Sequence, residues 1–175
     1  MYDSPLKREK DKLTAKKTKK TDADKKRITD IDVILSFWAT EGKNGSSVPT
    51  IPHGAIRGTI VQAGKISRAG APLKRGLQIA PSITFEWDKS LGKTCEAISK
   101  NEKARHYSVV NVQSSKIIKV RPIFNDWACE FELVVNDAAV NMESVIEYLE
   151  LAGEIIGIGD WRVEKGGAFG CFKIA

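Results

Sequence analysis

The sequence predicts an α+β domain, an antiparallel sheet with two helices on one face, behind a disordered basic arm. Three observations predict it: positive charge crowds into the first 27 residues, strand-like alternation recurs between residues 28 and 135, and only two stretches keep convincing helical spacing. The chain has 175 residues, 42% hydrophobic and 29% charged, which suits one packed domain with an appendage. No apolar run approaches the ~18–20 residues of a membrane span, and the first thirty residues lack the apolar stretch of a signal peptide. A cytoplasmic protein with no membrane partner is expected. Cys95, Cys129 and Cys171 are odd in number and lack CxxC spacing, so reduced, mostly buried thiols are expected rather than disulfides or a zinc knuckle.

Residues 1–27 hold eleven Lys/Arg against five Asp/Glu, a net +6 that accounts for the formal charge of the whole chain. The seventeen cations and seventeen acids of residues 28–175 cancel. With almost no apolar residues beyond Leu6 and Leu13, the arm buries too little to offset the entropy of ordering it, so disorder is expected. Its lysines, Lys16, Lys17, Lys19 and Lys20 among them, suit a phosphate backbone or an acidic partner.

Residues 28–175 read as a single domain. Ile31, Val33 and Leu35 alternate within a β-branched run at 28–38, a strand pattern; 39–50 is loop by composition. Residues 51–64 read as a helix with Ile56, Ile60 and Ala63 on one face and Pro52 in the first turn, the costs of Gly54 and Gly58 suggesting close backbone packing there. Residues 67–105 read as an irregular insertion, with short strands in 77–87 interrupted by Pro81. Residues 107–112 and 116–121 flank Gln113-Ser114-Ser115 as a hairpin, and 127–135 alternates cleanly from Trp127 to Leu133. A helix capped by Asn141 or Asp137 runs over 142–152 with Val145, Ile146 and Leu149 inward, ended by Gly153. A glycine-rich loop then feeds a final strand at 169–174. Strand, helix, strands, helix, strand is the split βαβ, ferredoxin-like or RRM-like order.

Enzyme signatures are sparse. His53 and His106 are the histidines, and no nucleophile, HExxH or calcium-loop motif accompanies them. No metal or cofactor is expected. A metal-independent ribonuclease using His53 is the weakest of the functional readings. The loop between Gly153 and Gly170 is more specific: its glycines let backbone approach a ligand, Trp161 and Phe169 offer stacking faces, and Arg162 and Lys165 offer phosphate contacts. Against this stands a tight connection in which Trp161 plugs the core and Arg162 pairs with Glu164 or Asp160.

The helix opening Ile51-Pro52-His53-Gly54-Ala55-Ile56-Arg57-Gly58 and the loop Gly157-Ile158-Gly159, Gly166-Gly167 and Phe169-Gly170 behind the C-terminal helix resemble the RAMP superfamily. These are the ferredoxin-like subunits that form the backbone of CRISPR effector complexes. The loop segment is also similar to small proteins of tailed bacteriophages, which would place the chain in a bacterial host cytoplasm. The resemblance spans about residues 28–66 and 117–175. It implies a noncatalytic protein that grips the sugar-phosphate backbone of single-stranded DNA or RNA, with copies side by side as a homo-oligomer. Carried onto this chain, it points to His53, Gly54, Arg57, Gly157, Gly159, Trp161, Arg162, Lys165, Gly166, Gly167 and Gly170, beside the ring already read at Phe169. The alternative, from another class, is a structural or regulatory protein that binds proteins or itself.

Overall fold

In the computed structural model, which describes residues 4–42, 45–112 and 115–175, Thr21 is the residue that organises the arm. Its hydroxyl accepts from the Asp24 amide at 3.2 Å while the Asp24 carboxylate accepts from the Thr21 amide at 3.1 Å, a reciprocal capping box. It starts helix α2, Asp22–Ser36, and Ser4 starts helix α1, Pro5–Thr14, by accepting from Lys7. The arm is therefore helical where disorder was expected, and residues 28–36 are helix where a strand was expected. The reason lies in pairings that composition does not show. Arg27 grips Glu9 through two bonds of 2.7 and 2.9 Å, and Lys10 meets Asp32 at 2.5 Å, so α2 folds back on α1. The period-2 signal at Ile31, Val33 and Leu35 also fails as a face: Ile31 and Val33 are fully buried, but Leu35 is exposed.

The chain divides into two compact units, residues 1–50 with 85–128 and residues 51–84 with 129–175. A boundary between arm and domain at residue 27 falls inside α2. The class is mixed α and β with small two-stranded sheets.

In the first unit, strands β1 (Ala39–Glu41) and β2 (Ser47–Pro49) pair antiparallel inside the expected loop. Helix α5 (Cys95–Ser99) starts from Thr94, whose hydroxyl accepts from Ala97. Strands β4 (Arg105–Val112) and β5 (Ser115–Pro122) form the expected hairpin, Tyr107 opposite Val120 and Val109 opposite Ile118; Gln113 and Ser114 of its turn lie outside the described residues. Trp87, Ile98 and Ala104 make a core flanked by Phe37, Phe85 and Phe124. Arg105, 3% exposed at its side chain, bonds Asp30, Glu102 and the Ser99 carbonyl, tying α2 to the start of β4.

In the second unit, helix α3 (His53–Ile66) buries Ile56, Ile60 and Ala63, as its spacing predicts, and packs on α4 (Gly70–Gly76) and α6 (Met142–Leu151). Strand β3 (Leu77–Trp87) runs unbroken through Pro81, which a two-stranded sheet tolerates because one edge of each strand needs no ladder partner. Its partner β6 (Trp127–Val135) alternates half-buried and exposed residues without exception. The unit boundary falls inside both strands. Asn141 caps α6, accepting from Ser144 at 2.8 Å; Val145 and Leu149 are buried, whereas Ile146 is exposed. Gly153 does not end the helix. A π-helical turn, Ala152–Ile156, continues it to Gly157 at φ 73°, and Ala63, Ala152 and Ile156 pack beneath Tyr148, Leu151 and Phe172. The expected final strand at 169–174 is reduced to one bridge, Arg162 to Phe169.

Candidate nucleic-acid interface

The glycine loop is built by the chain crossing itself. Ile158 donates to the Gly170 carbonyl at 2.9 Å, Gly167 to the Arg162 carbonyl at 3.1 Å, and Phe172 to the Gly153 carbonyl at 3.1 Å. A Cβ on Gly167 would lie 1.7 Å from the Trp161 carbonyl oxygen, and one on Gly170 would lie 2.0 Å from that of Ile158. These glycines admit the loop's own backbone. Gly159 and Gly166, at φ 96° and 74°, have open space where a side chain would start and remain accessible to a ligand.

Loop charge is largely spent internally. Arg162 reaches Glu164 through Nε at 2.9 Å and Nη2 at 2.7 Å, and Gly159 O through Nη1 at 3.3 Å. Lys165 stands 3.6 Å from the same carboxylate, and Gln62 of α3 donates to it at 2.9 Å. Desolvation raises the Glu164 pKa, but the Arg162 and Lys165 contacts outweigh it and hold the carboxyl below its ordinary 4.5. Trp161 is 46% exposed, so it does not plug the core; at φ 53° it meets Phe169 edge-on, centroids 6.1 Å apart. The loop thus combines the expected Arg162–Glu164 pair with an accessible indole.

Arg57 is likewise occupied. Its Nε donates to the Leu77 carbonyl at 2.7 Å and its Nη2 to the Lys74 carbonyl, stapling α3 to the end of α4. Gly54 and Gly58 face open space rather than packed backbone, and His53 is exposed on the first turn with no hydrogen-bond partner among the described residues. His106 belongs to the other unit. Of the arm lysines, Lys16 is held by Asp24 at 2.8 Å, while Lys17, Lys19 and Lys20, in the connection between α1 and α2, have no acidic partner among the described residues.

One cationic cluster escaped the sequence reading. Lys65, Arg68 and Lys74 line an open concavity of about 300 Å³ with Val61, Gly70 and Ala71, where α3 turns into α4. The corner is a Schellman turn: Ala69 donates to the Gly64 carbonyl at 2.8 Å and Arg68 to the Lys65 carbonyl at 3.2 Å. Arg68 takes the left-handed position, φ 60°, where glycine is the usual occupant and a side chain costs about 1–2 kcal/mol. Lys65 bonds Gln62 Oε1, at 2.8 Å. The signal was available: between Glu41 and Glu86 the sequence has no acid and six Lys/Arg. It was hidden because charge summed over residues 28–175 cancels.

Cys95 is buried and desolvation pushes its thiol pKa up; Cys129 is half-buried and raised by the same cause; Cys171 is exposed. Among the described residues, no group of three or more His, Cys, Asp or Glu is placed to hold a metal, and no helix is long and apolar enough to cross a membrane. Compared with protein-family profiles, curated proteins and solved structures, the chain matches none.

Proposed function

We propose that this protein binds nucleic acid without catalysis, holding the sugar-phosphate backbone through exposed cations and stacking a base on Trp161. The observation that carries the reading is the state of Lys17, Lys19 and Lys20: Glu9, Asp22, Asp24 and Asp32 are matched to other cations, whereas Lys17 and Lys19, both exposed, and Lys20, half-buried, have no acidic partner among the described residues. The half-exposed indole supports it, because ring faces beside cations suit single strands. Arg57 and Arg162 take positioning roles, holding α4 and the loop, and Lys165 keeps a side chain 61% exposed for phosphate. Within this reading the RAMP-like, ferredoxin-like arrangement is a proposal about the second unit, supported by the packing of α3 on α6 and by the pair β3-β6. Residues 28–36 and 169–174 supply no strands to it. Placement in a phage-infected cytoplasm and assembly of copies along a strand belong to the same proposal.

Gel shifts with single- and double-stranded DNA and RNA test it. Binding to a single strand is expected to weaken steeply with salt, and replacing Lys17, Lys19 and Lys20 with alanine should flatten the slope of log affinity against log salt by about 2, at ~0.7 per lost contact. Absence of a shift with every substrate would overturn the reading. A second reading, a protein-binding or self-assembling role, is favoured by the β4–β5 hairpin, where Tyr107, Val109 and Ile118 expose an apolar face at 52%, 64% and 70%. It predicts concentration-dependent assembly that Val109→Ser with Ile118→Ser abolishes, read by sedimentation. The ribonuclease reading predicts RNA cleavage that His53→Ala removes.

A further inference from the structure

We propose that the α3–α4 corner is a phosphate-binding pocket in which Lys65, Arg68 and Lys74 hold one phosphoryl or phosphodiester group. The inference goes beyond the reading above, because it uses residues outside the arm and the glycine loop and does not require the ligand to be a polymer.

The first support is charge. Three side chains of one sign line a concavity of about 300 Å³, and none of them has a carboxylate partner among the described residues. Like charges brought together repel, so the arrangement is favourable chiefly when an anion sits among them. Three arginines elsewhere in the molecule are neutralised: Arg27 has Glu9, Arg105 has Asp30 and Arg162 has Glu164. The nearest acid by bonding is Glu164, reached from Lys65 only through Gln62 and already shared by Arg162 and Lys165.

The second support is backbone. Arg68 occupies the left-handed position of the helix-ending turn, where glycine would relieve strain and preserve both turn hydrogen bonds, which are main-chain bonds. A residue that strains the fold and makes no side-chain bond among the described residues points to a use for its guanidinium outside the fold. The third is shape. Gly70 brings α4 so close to α3 that a Cβ there would stand 2.6 Å from Lys65 Cγ. The Lys65 stem fills that space, which seats its root against the α4 backbone at the edge of the concavity. Lys supplies point charge, and Arg supplies a planar fork suited to two phosphate oxygens.

The test follows the backbone amides of residues 61–74 by NMR during titration of the full chain with inorganic phosphate, and separately with a short oligothymidylate, at constant ionic strength. Phosphate is expected to shift these amides saturably, whereas chloride at the same ionic strength does not. Arg68→Gly should weaken phosphate binding at least tenfold while the midpoint of thermal unfolding holds or rises, which separates loss of a ligand contact from loss of fold. Lys65→Gln with Lys74→Gln should weaken it similarly. Saturation by both probes, or by the oligonucleotide alone, supports the pocket and assigns it to a phosphodiester. Saturation by inorganic phosphate alone supports it for a free phosphoryl ligand, even if gel shifts fail. The proposal is overturned if neither probe shifts the amides, if chloride shifts them equally, or if Arg68→Gly binds as tightly as wild type. In those cases the lysines of the arm still decide the nucleic-acid reading by themselves.

Discussion

The glycine loop and the α3–α4 corner belong to one unit and use similar charges in opposite ways. In the loop, Arg162 and Lys165 both turn to Glu164, and the surrounding glycines admit the loop's own backbone. At the corner, Lys65, Arg68 and Lys74 find no acid among the described residues, and the glycines bring two helices together beneath them. The difference teaches that a motif rich in glycine and cations is no guide to free charge until its acids are placed. A carboxylate two residues from Arg162 in the chain is also its partner in space, whereas the corner has none within an acid-free stretch of sequence.

The largest effect that would break this contrast concerns the loop glycines. Gly167→Ala is expected to cost about 3 kcal/mol in chemical denaturation, because its Cβ would meet the Trp161 carbonyl, whereas Gly166→Ala meets only left-handed strain and costs about 1 kcal/mol. Equal costs would show that Gly167 is not an internal seat. At the corner, Gly64→Ala places a Cβ 2.1 Å from Leu73 Cδ1; since a side chain yields more readily than a carbonyl, about 2 kcal/mol is expected by the same measurement. The smallest effect sharpens the electrostatic half. Glu164→Gln should release Arg162 and Lys165 and raise single-strand affinity on the order of fivefold, the equivalent of one charge at ~4 Å in water. It should also remove a pH dependence. A carboxyl whose folded pKa lies below its ordinary 4.5 contributes stability that is present above that value and lost as pH falls through the folded pKa. Wild type should therefore lose thermal stability below about pH 4.5 relative to Glu164→Gln.

Legibility followed how local the cause was. β6, the β4–β5 hairpin, α6 with its Asn141 cap and the buried face of α3 are set by alternation, helical spacing and a cap within a few residues, so they could be read directly. The run at 28–38 misled because β-branched residues carry a strand signal that an upstream cap at Thr21 overrides, and because α2 is fastened by Glu9 and Asp32 pairings that no window of sequence contains together. Pro81 looked like a break and is not one, since an edge position needs no donor there. Of the site, Trp161 was placed as an exposed ring; Arg57 was expected on phosphate and staples α3 to α4 instead.

The sequence by itself determined the mixed class, the periodic elements and the total charge, because those depend on residue type and spacing alone. Tertiary structure decided which charges survive. Whether a cation is available to a ligand depends on the carboxylate or carbonyl that reaches it across space. Chain folding brings Arg162 to Glu164, Arg57 to Leu77 and Arg105 to Asp30, and leaves Lys65, Arg68 and Lys74 together without an acid among the described residues.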